Sequence, residues 1–125
     1  MRRLSQLVLV LAVAALSAPT ALAAVPQLPF KVVSLTSVVR RGDDGAVAVQ
    51  TAPRAKCVLM VHYQSGPKAM SVNDRKTADQ RGRVTWTWHV DAHATPGSWP
   101  ILVHCTDEER GQVYQARLET SFVVR

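Results

Sequence analysis

Between Gly82 and Cys105 the apolar residues fall on every second position, first as Val84, Trp86, Trp88 and Val90, then as Trp99, Ile101, Val103 and Cys105, with Thr95-Pro96-Gly97 between the two runs. Side chains of an extended strand point alternately to opposite faces, so this period of two describes half-buried β-strands and is incompatible with the 3.6-residue period of a helix. The same alternation returns elsewhere. Val32 to Val38 reads as a first strand and Ala46 to Thr51 as a second, separated by a turn at Arg40-Arg41-Gly42-Asp43-Asp44-Gly45. Lys56 to Tyr63 is a third, rich in bulky and β-branched residues and closed by Ser65-Gly66-Pro67. Residues 66 to 81 read as the longest irregular stretch, with room for one short edge strand near Ala69 to Val72. Arg83 to Asp91, Trp99 to Thr106 and Val113 to Val124 complete the set, the last after a turn at Asp107 to Gly111. Six to seven short strands joined by turns predict an all-β antiparallel sandwich.

The amino terminus has a different character. Met1-Arg2-Arg3 is a positive head, Leu7 to Leu16 an apolar core and Ala21-Leu22-Ala23 a small-x-small end, the three parts of a secretory signal peptide with cleavage after Ala23. Ser17 and Pro19 break the apolar stretch before it reaches the roughly 20 residues of a spanning helix, so stable membrane insertion is not expected after cleavage. The reading is therefore a signal peptide over 1–23, a proline-containing lead-in over 24–31 and a single domain over 32–125, with a secreted or periplasmic location. Removing residues 1–23 takes Arg2 and Arg3 with them, and the net charge falls from +6 to +4. The remaining basic residues, such as Lys31, Arg40, Arg54, Lys56, Arg75, Arg83 and Arg117, are scattered without aromatic interleaving. They do not suggest nucleic acid; the partner expected is a protein or an acidic polymer of the cell envelope.

Cys57 and Cys105 are the two cysteines of the chain, and in an exported protein an even count implies a disulfide. Closing a loop of that size stabilises a fold by about 4 kcal/mol. Pairing Cys57 with Cys105 across neighbouring antiparallel strands sets Leu59 opposite Val103, Val61 opposite Ile101 and Tyr63 opposite Trp99. All of these are apolar or aromatic pairs, and a slip by one residue would turn one apolar set outward.

The residues Lys56-Cys57, Ser65-Gly66-Pro67, Lys76-Thr77-Ala78-Asp79, Gly82-x-Val84-x-Trp86-x-Trp88-x-Val90 and Thr95-Pro96-Gly97-x-Trp99-Pro100-x-x-Val103-x-Cys105 together resemble a bacterial immunoglobulin-like domain, found alone or appended to secreted and cell-surface proteins. The resemblance spans about three quarters of the mature chain. It implies the sandwich, export and the disulfide, and it carries no activity or site. The tryptophans come later than in antibody-type domains.

No Gly-x-Ser-x-Gly elbow, His-Glu-x-x-His helix or phosphate-binding glycine loop occurs, so no catalytic residue is assigned and no cofactor is expected. Asp43-Asp44 and Asp107-Glu108-Glu109 are turn residues without the Asp-x-Asp-x-Asp spacing of a calcium loop. Parity places Trp86, Trp88 and Trp99 in the core with their indole N–H groups finding partners at the sandwich ends, Trp99 being the most exposed. The inferred register keeps His62 and His104 about 13 Å apart, too far to share a metal. His89, Asp91 and His93 are the alternative ligands for copper or zinc, and Trp99 is the alternative platform for a cell-wall sugar. The principal candidate is the face opposite the disulfide, where Val58, Met60 and His62 meet Pro100, Leu102 and His104 in a semi-apolar patch. It contacts another protein, or the lead-in Pro26 to Phe30 folds over it, or these are isolated exposed apolar residues.

Overall fold

The computed structural model describes residues 26–125; the signal-peptide assignment lies outside the described residues. Eight strands follow one another: β1 Lys31–Leu35, β2 Val38–Val39, β3 Asp44–Gln50, β4 Lys56–Ser65, β5 Lys68–Thr77, β6 Arg83–His89, β7 Gly97–Glu109 and β8 Gln112–Val124. They form a three-stranded sheet in the order β1-β3-β6 and a five-stranded sheet in the order β2-β8-β7-β4-β5. The all-β sandwich is thus present, with one disulfide and no helix among the described residues.

Alternation builds the core. Val84, Trp86 and Trp88 of β6 and Val47 and Val49 of β3 are buried on one sheet, facing Leu59, Val61, Ile101, Val103, Phe122 and Val124 of the other. The intervening residues of β6 are exposed, as a two-faced strand requires. Phe122 makes edge-to-face contacts with Trp88 of the opposite sheet, at 5.6 Å between ring centroids, and with Tyr63, at 6.4 Å. Such contacts add to what burial alone contributes.

Three expectations need correction. The first strand, expected as one element over 32–38, is two: β1 pairs with β3, and β2 pairs in parallel with β8 in the other sheet. Thr36 and Ser37 carry the chain across. Thr36 exchanges hydrogen bonds with Ala46, and the Ser37 carbonyl accepts from Val123 N–H. Second, the stretch expected to be irregular holds β5, ten residues long and paired with β4 along its whole length. Gly66-Pro67 joins them as a two-residue hairpin with Ser65 opposite Lys68, and Gly66, at φ 59°, takes the first central position where an L side chain is disfavoured. Third, β7 and β8 run on to a tighter turn at Arg110-Gly111, both at positive φ, so Asp107 to Glu109 lie in the strand. Eight strands replace the six to seven expected.

Gly82 is fixed by its surroundings. Its φ is +78°, and a Cβ there would overlap the Thr51 carbonyl. That carbonyl's residue also donates its N–H to Gly82 O, at 2.7 Å. The Asp79 carboxylate holds the same turn by accepting from Arg81 and Arg83 N–H, both at 2.8 Å.

Candidate binding face

Cys57 and Cys105 are bonded and directly opposed in the β4–β7 ladder, and their Cα atoms are 4.0 Å apart. Leu59 faces Val103 and Val61 faces Ile101, as the parity argument expects. The close Cα approach marks a non-hydrogen-bonded position, so hydrogen-bonded pairs fall on Val58/His104 and Met60/Leu102, and the next would be His62/Pro100. Pro100 has no N–H to give, and the ladder ends at Val61/Ile101. The expected pairs Tyr63/Trp99 and His62/Pro100 therefore do not form. Toward β8 the same proline stands opposite Ser121 at a non-hydrogen-bonded position, where a missing donor costs nothing. Beyond this point the end of β4 changes partner: Thr95 N–H donates to Gln64 O at 2.7 Å, and Ser65 bridges Ala94.

This register puts Val58, Met60, Leu102 and His104, all half-buried, and the exposed His62 and Pro100 together on the outer face of the five-stranded sheet. Columns of polar residues flank them. On β5 these are Arg75, Asn73 and Ser71, opposite Val58, Met60 and His62. On β8 they are Arg117, Glu119 and Ser121, opposite His104, Leu102 and Pro100. The lead-in does not cover this face. It lies along β8, where Leu28 N–H donates to Gln115 O at 3.0 Å and Gln115 N–H donates to Pro26 O at 3.1 Å, with the Leu28 side chain buried.

At the disulfide end, the apolar stripe runs into a shallow cleft of about 380 Å³ lined by Lys56, Val58, Arg75, Thr77, His104 and Thr106. The sequence does not show that Lys56 and Arg75 come together, because Lys56 opens the third expected strand while Arg75 lies in a stretch that reads as irregular. Arg117 is matched by Glu119 at 2.6 Å, and His104 Nε2 lies 3.2 Å from Gln115 Oε1. Neither Lys56 nor Arg75 has a carboxylate within ion-pairing distance among the described residues, so the cleft carries net positive charge.

The remaining candidates separate in space. His89 Nδ1 lies 2.8 Å from Asp44 Oδ1, at an exposed ladder pair. Asp91 accepts from the Ser65 hydroxyl and, at 3.0 Å, from His93 N–H. These bonds hold its carboxyl below the ordinary value, the Ser65 bond contributing most. His89 is thus engaged by Asp44, while Asp91 is held by Ser65 and the backbone of His93, and among the described residues no group of three or more His, Cys, Asp or Glu converges on a common point. Trp86 and Trp88 are buried as expected, but their indole nitrogens have no protein acceptor, contrary to the expectation of partners at the sandwich ends. Trp99 is half-buried and donates to Thr95 O at 2.9 Å. It lines, with His62, Met70 and Pro100, a groove of about 340 Å³ at the place where β4 and β7 part.

No protein-family model and no curated protein matches the chain. Among solved structures, two of a β-glucosidase from Listeria innocua, one in complex with glucose and one with isofagomine, are similar at 15% identity and a TM-score of 0.39, over 78% of this chain. The chain spans 16% of their length, and a likeness of this size carries no argument about its activity. The disulfide is of the kind that persists in oxidising, extracellular-type compartments. No helix among the described residues is long and apolar enough to cross a membrane.

Proposed function

We propose that the protein is an exported, non-enzymatic immunoglobulin-like module of the bacterial cell envelope or exterior, and that the outer face of its five-stranded sheet binds a protein partner. The observation that carries this reading is the apolar stripe Val58, Met60 and Leu102, which sits where a solvated sheet face is normally polar and is left open by the lead-in. Exposed apolar patches rimmed by polar residues are characteristic of contact surfaces. The cleft around Lys56 and Arg75 adds a preference of sign, so the partner surface is apolar with carboxylates at one margin. The disulfide and the amino-terminal pattern support export.

Photo-crosslinking in the producing cell tests this reading. A photoreactive residue in place of Met60 or Leu102 is expected to capture a discrete protein, and one in place of the exposed Thr87, on the outer face of the other sheet, is not. Arg75→Glu is expected to weaken the capture severalfold. Equal labelling at all three positions, or adducts with envelope polymer alone, would overturn the protein-contact reading.

A further inference from the structure

The two edges of the five-stranded sheet are treated differently. Along β8 the backbone groups that face away from β7 belong to Gln115 and every second residue after it. Gln115 is paired by the lead-in, and Val123 and Arg125 are paired by Ser37 and Val39, so that only Arg117, Glu119 and Ser121 stay open between the two covered ends. Along β5 the alternation fixed by the disulfide leaves Ala69, Ser71, Asn73, Arg75 and Thr77 pointing N–H and C=O away from β4. The strand has no proline and no bulge, and its ten-residue register with β4 is unbroken. An edge of this length is a template for another strand unless something blunts it. Charged side chains are a common device for that, and here Lys68, Asp74, Arg75 and Lys76 are all exposed.

Their order matters more than their number. Two copies of β5 meeting antiparallel about a two-fold axis normal to the sheet keep inner-face residues opposite inner-face residues, so each register is defined by the residue on the axis. Centring on Val72 sets Lys68 against Lys76. Centring on Asn73 leaves Asp74 against Val72 and Lys76 against Met70, and centring on Asp74 or Arg75 opposes like charges on the axis. Centring on Ser71 pairs Lys68 with Asp74 twice and Met70 with Val72 twice on the inner face, with Ala69 opposite Asn73 and Ser71 opposite Ser71 on the outer. Every opposed pair is then oppositely charged, apolar or small and polar, the combinations that stabilise a ladder. Met70 and Val72 are half-buried and would lose more of their surface to water in the pair. Among the described residues neither Lys68 nor Asp74 has an ion-pair partner on its own chain.

We infer that β5 is a self-pairing edge and that the protein forms a two-fold dimer through it, with Ser71 on the axis, joining two five-stranded sheets into one of ten. This inference does not rest on the outer face having a partner.

Sedimentation equilibrium on the disulfide-intact protein, up to hundreds of micromolar, is expected to show a monomer–dimer equilibrium. Asp74→Lys and Lys68→Asp should each weaken it about tenfold or more, since two attractive cross-strand pairs become repulsive. The double variant Lys68→Asp/Asp74→Lys should restore it, and added salt should weaken the wild-type dimer. Ser71→Cys should crosslink efficiently with a short bismaleimide, and Thr87→Cys should not. A wild-type protein that stays monomeric, or a dimer indifferent to the single charge reversals or not rescued by the double one, would overturn the inference. Circular dichroism of each variant separates loss of pairing from loss of fold.

Discussion

The ladder between β4 and β7 is built in one way at the disulfide end and in another at the Trp99 end. At the first, backbone pairing is continuous, the bond from Cys57 to Cys105 closes it, and the Ala55–Ala78 backbone bond and the Gly82 turn lie just beyond. At the second, pairing stops at Val61/Ile101, and side chains take over. Tyr63 Oη accepts from Asp91 N–H at 3.1 Å, Ser65 donates to Asp91, and Trp99 ties its own loop to Thr95. A covalent bond and a backbone ladder carry no titrating group and do not respond to pH in the acid-to-neutral range. A carboxylate network does respond to pH, so the two ends should respond to different perturbations.

The largest effect belongs to the disulfide end. Replacing both cysteines, as Cys57→Ala with Cys105→Ala, frees a loop with a sequence separation of 48, for which chain entropy predicts a loss of about 4 kcal/mol. For a domain of this size that is roughly 15–30 °C in Tm. Both sulfurs are buried, so reductant alone should act slowly unless denaturant is present. Chemical denaturation of the double variant checks the value. A loss under about 1 kcal/mol would mean that the ladder holds this end without help and that the contrast is one of pairing alone.

The next effect is smaller and belongs to the other end. Hydrogen bonds from the Ser65 hydroxyl and then from His93 N–H hold Asp91 below its ordinary value of 3.8. A carboxyl depressed in the folded state contributes stability that is complete above its unfolded value and is lost as pH falls through the folded one. Ser65→Ala should therefore be less stable than wild type near neutral pH, and the deficit should begin to shrink as pH drops below about 4 and go on shrinking toward the folded value. Asp79 is lowered as well, chiefly by Arg83 N–H, but it is common to both proteins and cancels in the difference. Paired denaturation curves across pH 3 to 7 give the measurement. A deficit independent of pH would assign the role of Ser65 to packing.

The same contrast explains what could be read in the sequence. Where a strand has one buried and one solvated face, parity fixes register: Cys57, Leu59 and Val61 had to meet Cys105, Val103 and Ile101, and they do. The outer stripe of Val58, Met60 and Leu102 followed from the same count. β5 was not legible because it is an edge strand, polar on both faces from Asn73 onward, and shows no alternation over that stretch. Losing β5 meant losing the place of Arg75, and with it the charged cleft and the self-complementary edge. The split of residues 32–38 between two sheets carries no breaker in Val-Val-Ser-Leu-Thr-Ser-Val; the hydrogen bonds of Thr36 to β3 and of Ser37 to the distant β8 decide it. Nor does the sequence say whether the missing donor of Pro100 faces β4 or β8, which the register decides.

That proline supports the smallest and most discriminating prediction. Two causes can end the ladder at Val61: the absent N–H of Pro100, or the clamp in which Gln64 O accepts from Thr95 and the Trp99 indole donates to Thr95 O. Pro100→Val supplies the donor at a hydrogen-bonded position and leaves the clamp intact. If the absent donor is the cause, the new amide at position 100 should be protected from hydrogen exchange. Stability should then move by less than about 1 kcal/mol, because one net hydrogen bond is offset by the greater freedom of the unfolded chain. If the clamp is the cause, that amide should exchange freely, and the substitution should be mildly destabilising through the unfolded state alone. We expect protection, since the ladder stops at the first position that needs the missing group and not at Thr95 of the clamp, five residues earlier in the approach to β7. Combining Pro100→Val with Trp99→Phe, which removes the indole donor, should then add little to the protection at position 100.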